Sequence, residues 1–271
     1  LHVGIAPGAN IIPIKVLGNN GSGSFEAIEQ ALQWVIDNRK KYKISAVCMS
    51  LGDGGNYDDD SQFAADQIRA KIQQLRNNKV AVVVAAGNDF FTHSSAQGMG
   101  YPAIFRETVS VGAVYDAREG GFTYSSGAAT TESAPDRITP FSQRLHQSVN
   151  TAVRTDIFAP GAPITSSGIL NDQGESIQHG TSQATPVIAG VILLMQEYHL
   201  KLTKTLPSVK NIETWLRNGG VTINDGDDEA DNVTNTGLNF IRVDVVNSLE
   251  NIKRHLQRVM LHEQKELEAI Y

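Results

Sequence analysis

Cysteine is almost missing from this sequence. Cys48 is the one thiol among 271 residues, which excludes an internal disulfide and any metal site built on several cysteines. Long apolar runs are missing as well. The longest, from Val187 to Met195, falls far short of the roughly 20 residues that cross a bilayer, so no membrane partner is expected. Positive charge is not in excess. The 23 Lys plus Arg stand against 29 Asp plus Glu, a net charge of -6, and nucleic acid is not an expected partner. Internal repeats, low-complexity tracts, a signal peptide and an initiating Met are also lacking. Leu1 therefore reads as the middle of something, and the expectation is a piece of a longer chain. What is present, 41% hydrophobic and 19% charged, is ordinary globular composition, long enough for a sizeable core.

The pattern along the chain alternates strand and helix. Asn10 to Leu17 is a β-branched apolar run that predicts a strand, closed by the turn-rich GNNGSGS. Phe25, Ile28, Leu32, Val35 and Ile36 recur at helical spacing, with Ser24 placed to cap. Strands are expected at 44–49, 80–86, 109–114 and 156–159, with a second helix starting at Asp58 to Ser61 and running to about Asn78. Residues 115–151 are rich in Gly, Ser, Thr and Pro and carry no sustained periodicity. They read as a long loop, either a substrate-rim insertion or a tolerated surface excursion. A long apolar helix follows Gly180, and Asp244 to Tyr271 forms a closing helical pattern that becomes strongly charged after Lys253. Strands alternating with helices imply an α/β fold, a mostly parallel central sheet with helices on both faces.

Three segments carry chemistry. In Gly180-Thr181-Ser182-Gln183-Ala184-Thr185-Pro186, Thr181 or Ser182 can cap a helix start. Ser182 can equally be a nucleophile at the positive end of a long helix, where free N–H groups favour developing negative charge. The apolar strand Val82-Val83-Val84 ends in Ala85-Ala86-Gly87-Asn88. In parallel sheets, ligands bind at such carboxyl ends. Small residues there admit a substrate, and Asn88 offers two amide donors, although a strand running into an Asn turn explains the same letters. Met49-Ser50-Leu51-Gly52 ends the preceding strand, with Gly52 leaving room for an extended peptide, or simply opening a turn.

In this order, the three segments resemble the subtilisin-like serine proteases, the subtilases of peptidase family S8. GTSQATP is similar to the nucleophile motif, AAGN to the oxyanion-hole segment and MSLG to the substrate-binding strand. VGIAPGANIIPIKVLGNNGSGS, YPA before VSVGAV, FSQ, FAPG and NTGLNFIRVDVVNSL resemble further shared stretches, so the likeness covers about Leu1 to Leu249. It implies a subtilisin-like three-layer sandwich. It also implies that residues 1–249 are the carboxyl-terminal portion of a peptidase domain and 250–271 a charged helical extension or linker. By the same resemblance Ser182 is the nucleophile of a serine endopeptidase. Asn88 and the Ser182 N–H hold the oxyanion, Ser50, Leu51 and Gly52 pair with substrate backbone, and Ala85, Ala86 and Gly87 wall the pocket before the cut. Partners are protein or peptide substrates, with a pro-segment or further domain of the same protein as additional possibilities. Many members are exported and some remain in the cytoplasm; an extracytoplasmic location is expected.

The family's Asp and His precede VGIAP and are not here. His2 lacks the HGT context, and His179, three residues before Ser182, matches a position of varied residues; neither is expected to be the base. A serine without its base is a weak nucleophile, so the chain alone is expected to be nearly inactive. The alternative is a peptide-binding pseudoprotease that never had the base. Gln183 stands where the family usually has Met, which removes an oxidation-sensitive sulfur. No cofactor and no metal in the active site are expected. Structural calcium is an open reading for Asp53, Asp58, Asp59 and Asp60 and for the Asp225 to Asp231 loop, but solvated acidic loops, with Asp59 or Asp60 starting the helix, are the favoured one. An esterase elbow would need G-x-S-x-G, and GNNGSG lacks both a dinucleotide fingerprint and a phosphate-loop Lys.

Overall fold

The computed structural model describes residues 3–270. Ser24 accepts a hydrogen bond from the Ala27 N–H at 3.2 Å and opens α1 (Phe25–Tyr42), as its spacing predicts. β1 (Ala46–Met49) follows. The next helix, α2 (Gln67–Asn77), begins later than expected, because Asp66 and not Asp59 or Asp60 caps it, accepting from the Arg69 N–H at 2.9 Å. β2 (Ala81–Ala85) and β3 (Val109–Tyr115) are wholly buried and apolar apart from Ser110, the signature of central parallel strands covered on both faces. A small ribbon, β4 (Phe122–Thr123) with β5 (Ala129–Thr130), precedes β6 (Ile157–Ala162). A hairpin of β7 (Ile164–Ser167) and β8 (Glu175–Gln178) leads into the long helix α3 (Thr181–Thr203). The chain closes with α4 (Val209–Gly219), β9 (Val221–Asn224), β10 (Asn239–Arg242) and α5 (Val245–Ile270).

Six strands form the main sheet in the order β1-β2-β3-β6-β10-β9, parallel except for the β10–β9 pair, with β1 and β9 at its edges. Side chains of a strand point alternately to the two faces, and β2 displays this directly. Ala81 and Val83 join the core made with α3, α4 and α5, whereas Val82 and Val84 join the core made with α1 and α2. Helices on both faces of a mostly parallel sheet make the expected three-layer α/β sandwich. α5 runs through residue 250 without interruption, and Ile252 is buried in the core it shares with α4. Tyr271 lies outside the described residues.

Two expectations are corrected. Residues 10–17 form no strand: Leu17 makes a single bridge to Gly23, and Ile11 is 86% exposed. β propensity needs a partner to act on, no sheet strand flanks this run, and Pro13 removes one ladder donor. Residues 115–151 are not one surface loop. Ile138, Phe141, Ser142, Gln143, Arg144 and Leu145 are buried, their backbone satisfied by irregular pairing such as Gln143 N–H to Gly87 O at 2.9 Å and Phe90 N–H to Phe141 O at 3.1 Å. Burial without a regular element leaves no periodicity to read.

Candidate active site

Ser182 sits in the first turn of α3, a helix of 23 residues whose N-terminus meets the carboxyl ends of β1 and β2. Neither Thr181 nor Ser182 caps this helix. The cap position is Gly180, which has no side chain, and the acceptor comes from elsewhere: Asn88 Oδ1, just past β2, takes both the Thr181 N–H and the Thr181 Oγ1 hydroxyl at 2.9 Å. Two donors on Oδ1 fix which end of the Asn88 amide is which. Nδ2 is then left as a donor beside Gly180 and has no acceptor among the described residues. The Ser182 N–H, in the first helical turn, has no intrahelical acceptor either. Two donors, Asn88 Nδ2 beside Gly180 and the Ser182 N–H, are therefore left at the N-terminus of α3, where negative charge is favoured.

Pro186 shapes the other side of the site. It has no N–H to give the carbonyl four residues back, and that carbonyl belongs to Ser182. Ser50 Oγ fills the gap, donating to Ser182 O at 2.7 Å, while Ser182 Oγ donates to Ser50 O at 3.5 Å. The end of β1 and the start of α3 are thus clasped together. Ser50 and Gly52 are exposed and Leu51 half-buried, which leaves the segment accessible to a chain lying alongside it. One backbone donor there is already used: the Asp53 N–H goes to Tyr101 O at 3.2 Å.

Ala85 and Ala86 are buried and Gly87 is half-buried. Gly87 has φ +117°, and a Cβ placed on it would lie 1.8 Å from Gln143 Oε1. Only glycine fits this turn. Its N–H donates to Thr181 Oγ1 at 3.3 Å and its carbonyl accepts the Gln143 N–H. Gln143 in turn donates to Gly55 O and Asn56 Oδ1 at 2.9 and 2.8 Å, so a fully buried amide backs the expected pocket wall. Sequence reasoning missed Thr181 as the anchor of Asn88, and it missed Gln143 as a buttress. Thr181 was within the quoted motif, but its partner is far away in the chain.

No base accompanies the serine among the described residues. His179 turns to the aromatic ribbon: its ring lies 4.9 Å from Phe122, and Nδ1 is 3.4 Å from the Tyr124 hydroxyl. Burial lowers its pKa. His93 Nε2 contacts Gly54 O, His146 Nδ1 contacts Ser148 Oγ, and His199 Nδ1 contacts Thr205 O. His2 lies outside the described residues.

The first acidic cluster is occupied by protein donors. Asp60 is buried between Arg69 and Arg106, and Asp53 accepts from Tyr57 OH, Gly55 N–H and Tyr101 N–H. Asp59 accepts from the Ser61 N–H and Asn150 Nδ2.

The family model described as the subtilase family, peptidase S8, matches residues 1–232. Serine protease AprX of Bacillus subtilis (strain 168) is 28% identical over 232 residues, covering 80% of this chain and 47% of the relative. The alkaline elastase YaB of Bacillus sp. (strain YaB) is 31% identical over 195 residues, covering 72% and 40%. The Major intracellular serine protease of Bacillus subtilis (strain 168) is 28% identical over 196 residues, covering 72% and 49%. The chain thus spans about half the length, or less, of these relatives. Among solved structures, the prenylagaramide maturation protease PagA superposes with a TM-score of 0.62 over 87% of this chain and 70% of its own, at 20% identity, a likeness of fold. By its family model, its relatives and its fold, the chain belongs to the subtilase family.

Proposed function

We propose that this chain is the nucleophile-bearing part of a serine endopeptidase. The observation that carries the reading is the locked Asn88 amide, whose Oδ1 is spent on Thr181 so that Nδ2 and the Ser182 N–H are left as donors at the start of α3. In this reading Ser182 Oγ attacks the scissile carbonyl carbon, and a base outside the described residues takes its proton. The oxyanion rests on Asn88 Nδ2 and the Ser182 N–H, the leaving amine departs with a proton, and water releases the acyl group from Ser182. Ser50, Leu51 and Gly52 hold the extended substrate backbone, and Ala85, Ala86 and Gly87 line the pocket for the residue before the cut. Substrates are proteins or peptides. Without the base, this chain has only the residual catalysis of binding and oxyanion stabilisation.

The test is labelling of the longer parent chain, containing the segment upstream of Leu1, by a fluorophosphonate probe. Ser182 is labelled and S182A is not. A folded parent that leaves Ser182 unlabelled but binds extended peptides supports the second reading, a peptide-binding pseudoprotease. That reading is favoured by one observation, the donation of Ser182 Oγ to Ser50 O in place of a base. We place the parent outside the cytoplasm by resemblance, although one relative is named as intracellular. Among the described residues no helix is long and apolar enough to cross a membrane. Fractionation of cells expressing the parent distinguishes the compartments.

A further inference from the structure

The Ser182 site lies at the carboxyl ends of β1 and β2, and a second opening lies at the other end of the sheet. β1, β2, β3 and β6 all run parallel, so the amino end of β6 faces away from Ser182. Asp156 immediately precedes β6, and Asn239 opens β10, which runs parallel to β6 with Arg242 opposite Phe158. At these amino ends is a cleft of about 490 Å³, with Phe240, Ile241, Thr222 and Asn239 in its wall. Beside it is a cavity of about 100 Å³ that Phe105 and Glu213 help to line. Arg154, Asp156 and Arg217 line both, so the two spaces share one wall.

The charges of that wall do not cancel. Arg106 is paired with Asp60, and Glu213 is bidentate to Arg76, so neither has charge to spare. Arg154, Arg217 and Asp156 remain. Burial, with the charge of Glu213 adding to it, pushes the Asp156 carboxyl up to about 7, and its Oδ2 is spent on the Ser110 N–H and hydroxyl. Asp156 therefore offsets at most one of two guanidinium charges. Arg154 donates to Gln147 Oε1, a neutral acceptor. The Nε of Arg217 is withdrawn from solvent and has no hydrogen-bond partner. A buried donor left unused is costly and calls for an acceptor. His146, also in the cleft wall, accepts the Ser148 N–H on Nδ1 at 3.1 Å, which leaves its ring proton on Nε2.

We propose that this cleft binds a small organic anion, its charged group held by Arg154 and Arg217 and its apolar body laid against Phe240 and Ile241. Guanidinium groups meet the oxygens of a carboxylate or a phosphate ester through paired N–H donors. The volume is that of a small-molecule site, mostly apolar with a few polar groups that fix orientation. Its walls are tied in place without a ligand. The Leu145 N–H donates to Thr155 Oγ1 at 2.9 Å, the Thr155 N–H to Leu145 O at 2.8 Å, and the Ser110 hydroxyl to Arg154 O at 3.0 Å. Little ordering is then left to oppose binding. The site is independent of the role given to Ser182.

The experiment is titration of this chain with phenyl phosphate and with benzoate at constant ionic strength, followed by calorimetry and by backbone amide shifts. Phenol and inorganic phosphate serve as reference probes. At least one aromatic anion binds saturably and moves amides in 145–147, 154–156, 217–222 and 239–241; the tighter of the two tells a phosphate ester from a carboxylate. Phenol and inorganic phosphate, each with half of the recognition, bind more weakly. R217Q weakens binding by about tenfold or more, the worth of a charged hydrogen bond. K210Q, which removes an exposed charge from the same helix, leaves it unchanged. The proposal is overturned by the absence of saturable binding of either anion at millimolar concentration, or by phenol or inorganic phosphate binding as tightly. Shifts confined to the Ser182 end, or an equal response of R217Q and K210Q, overturn it as well. Should R217Q not fold, R154Q is read in the same way.

Discussion

Each donor of the candidate site is held by a neighbour with an assigned task. Asn88 supplies Nδ2 only because Thr181 binds Oδ1, so the two residues have separable effects. In a chain that carries the proposed base as well, N88A is expected to lower turnover by about 10²–10³, the size found for loss of such a donor in subtilisin. T181V removes the hydroxyl donor and leaves the backbone N–H on Oδ1, so it loosens the amide and is expected to lower kcat by less than N88A does, with little change in KM; steady-state kinetics on a peptide substrate check both. Gly87→Ala is expected to destabilise the chain. Its φ of +117° costs a side-chain residue about 1–3 kcal/mol before the clash with Gln143 is counted, and urea unfolding measures the loss. Ser182, Asn88 and Gly87 were legible in the sequence because each lies in a short contiguous motif with a mechanical reason for its residue types. Gln143 was not. It lies in a stretch without periodicity, and its meaning depends on the distant Gly55, Asn56 and Gly87 that it touches.

At the scale of elements, legibility followed regularity. β2 could be read from an uninterrupted apolar run, β3 from one broken only by Ser110, and α1 from its spacing and cap, whereas residues 138–145 are core without being helix or strand. The run at 10–17 failed in the opposite sense, having the composition of a strand and no partner. The junction of β6 with α4 carries a prediction that no composition announces. Asp156, immediately before β6, lines a cavity of about 100 Å³ with Arg154, Glu213 and Arg217, and accepts from the Ser110 N–H and hydroxyl. Burial, with the charge of Glu213 adding to it, pushes the Asp156 carboxyl from 3.8 up to about 7. Glu213 moves in the same direction, chiefly through burial and against its pairing with Arg76. Between these values the folded chain keeps a proton that the unfolded chain has lost, so unfolding free energy falls as pH rises through this window. D156N retains an acceptor for Ser110 and is expected to flatten much of that dependence, leaving a residual slope from Glu213. Urea denaturation at pH 5 and pH 8 measures the difference, and a wild-type stability that rises across the interval would refute the assignment.

Over the whole molecule, the family and the layer order were readable from the ordered conjunction of motifs. The seating of the site was not, since Asn88, Ser50 and Pro186 meet only once the sheet and α3 have packed. One feature of that packing bears on how the chain behaves in a tube. β1 is an edge strand, and among the described residues nothing pairs with its outer side. An open parallel edge is a template for another strand, whatever molecule supplies it. At rising concentration, copies of this chain are therefore expected to associate through β1, giving a sedimentation coefficient that grows with loading. Cys48→Lys, which places a charge at the exposed position of β1, should keep the chain monomeric over the same range.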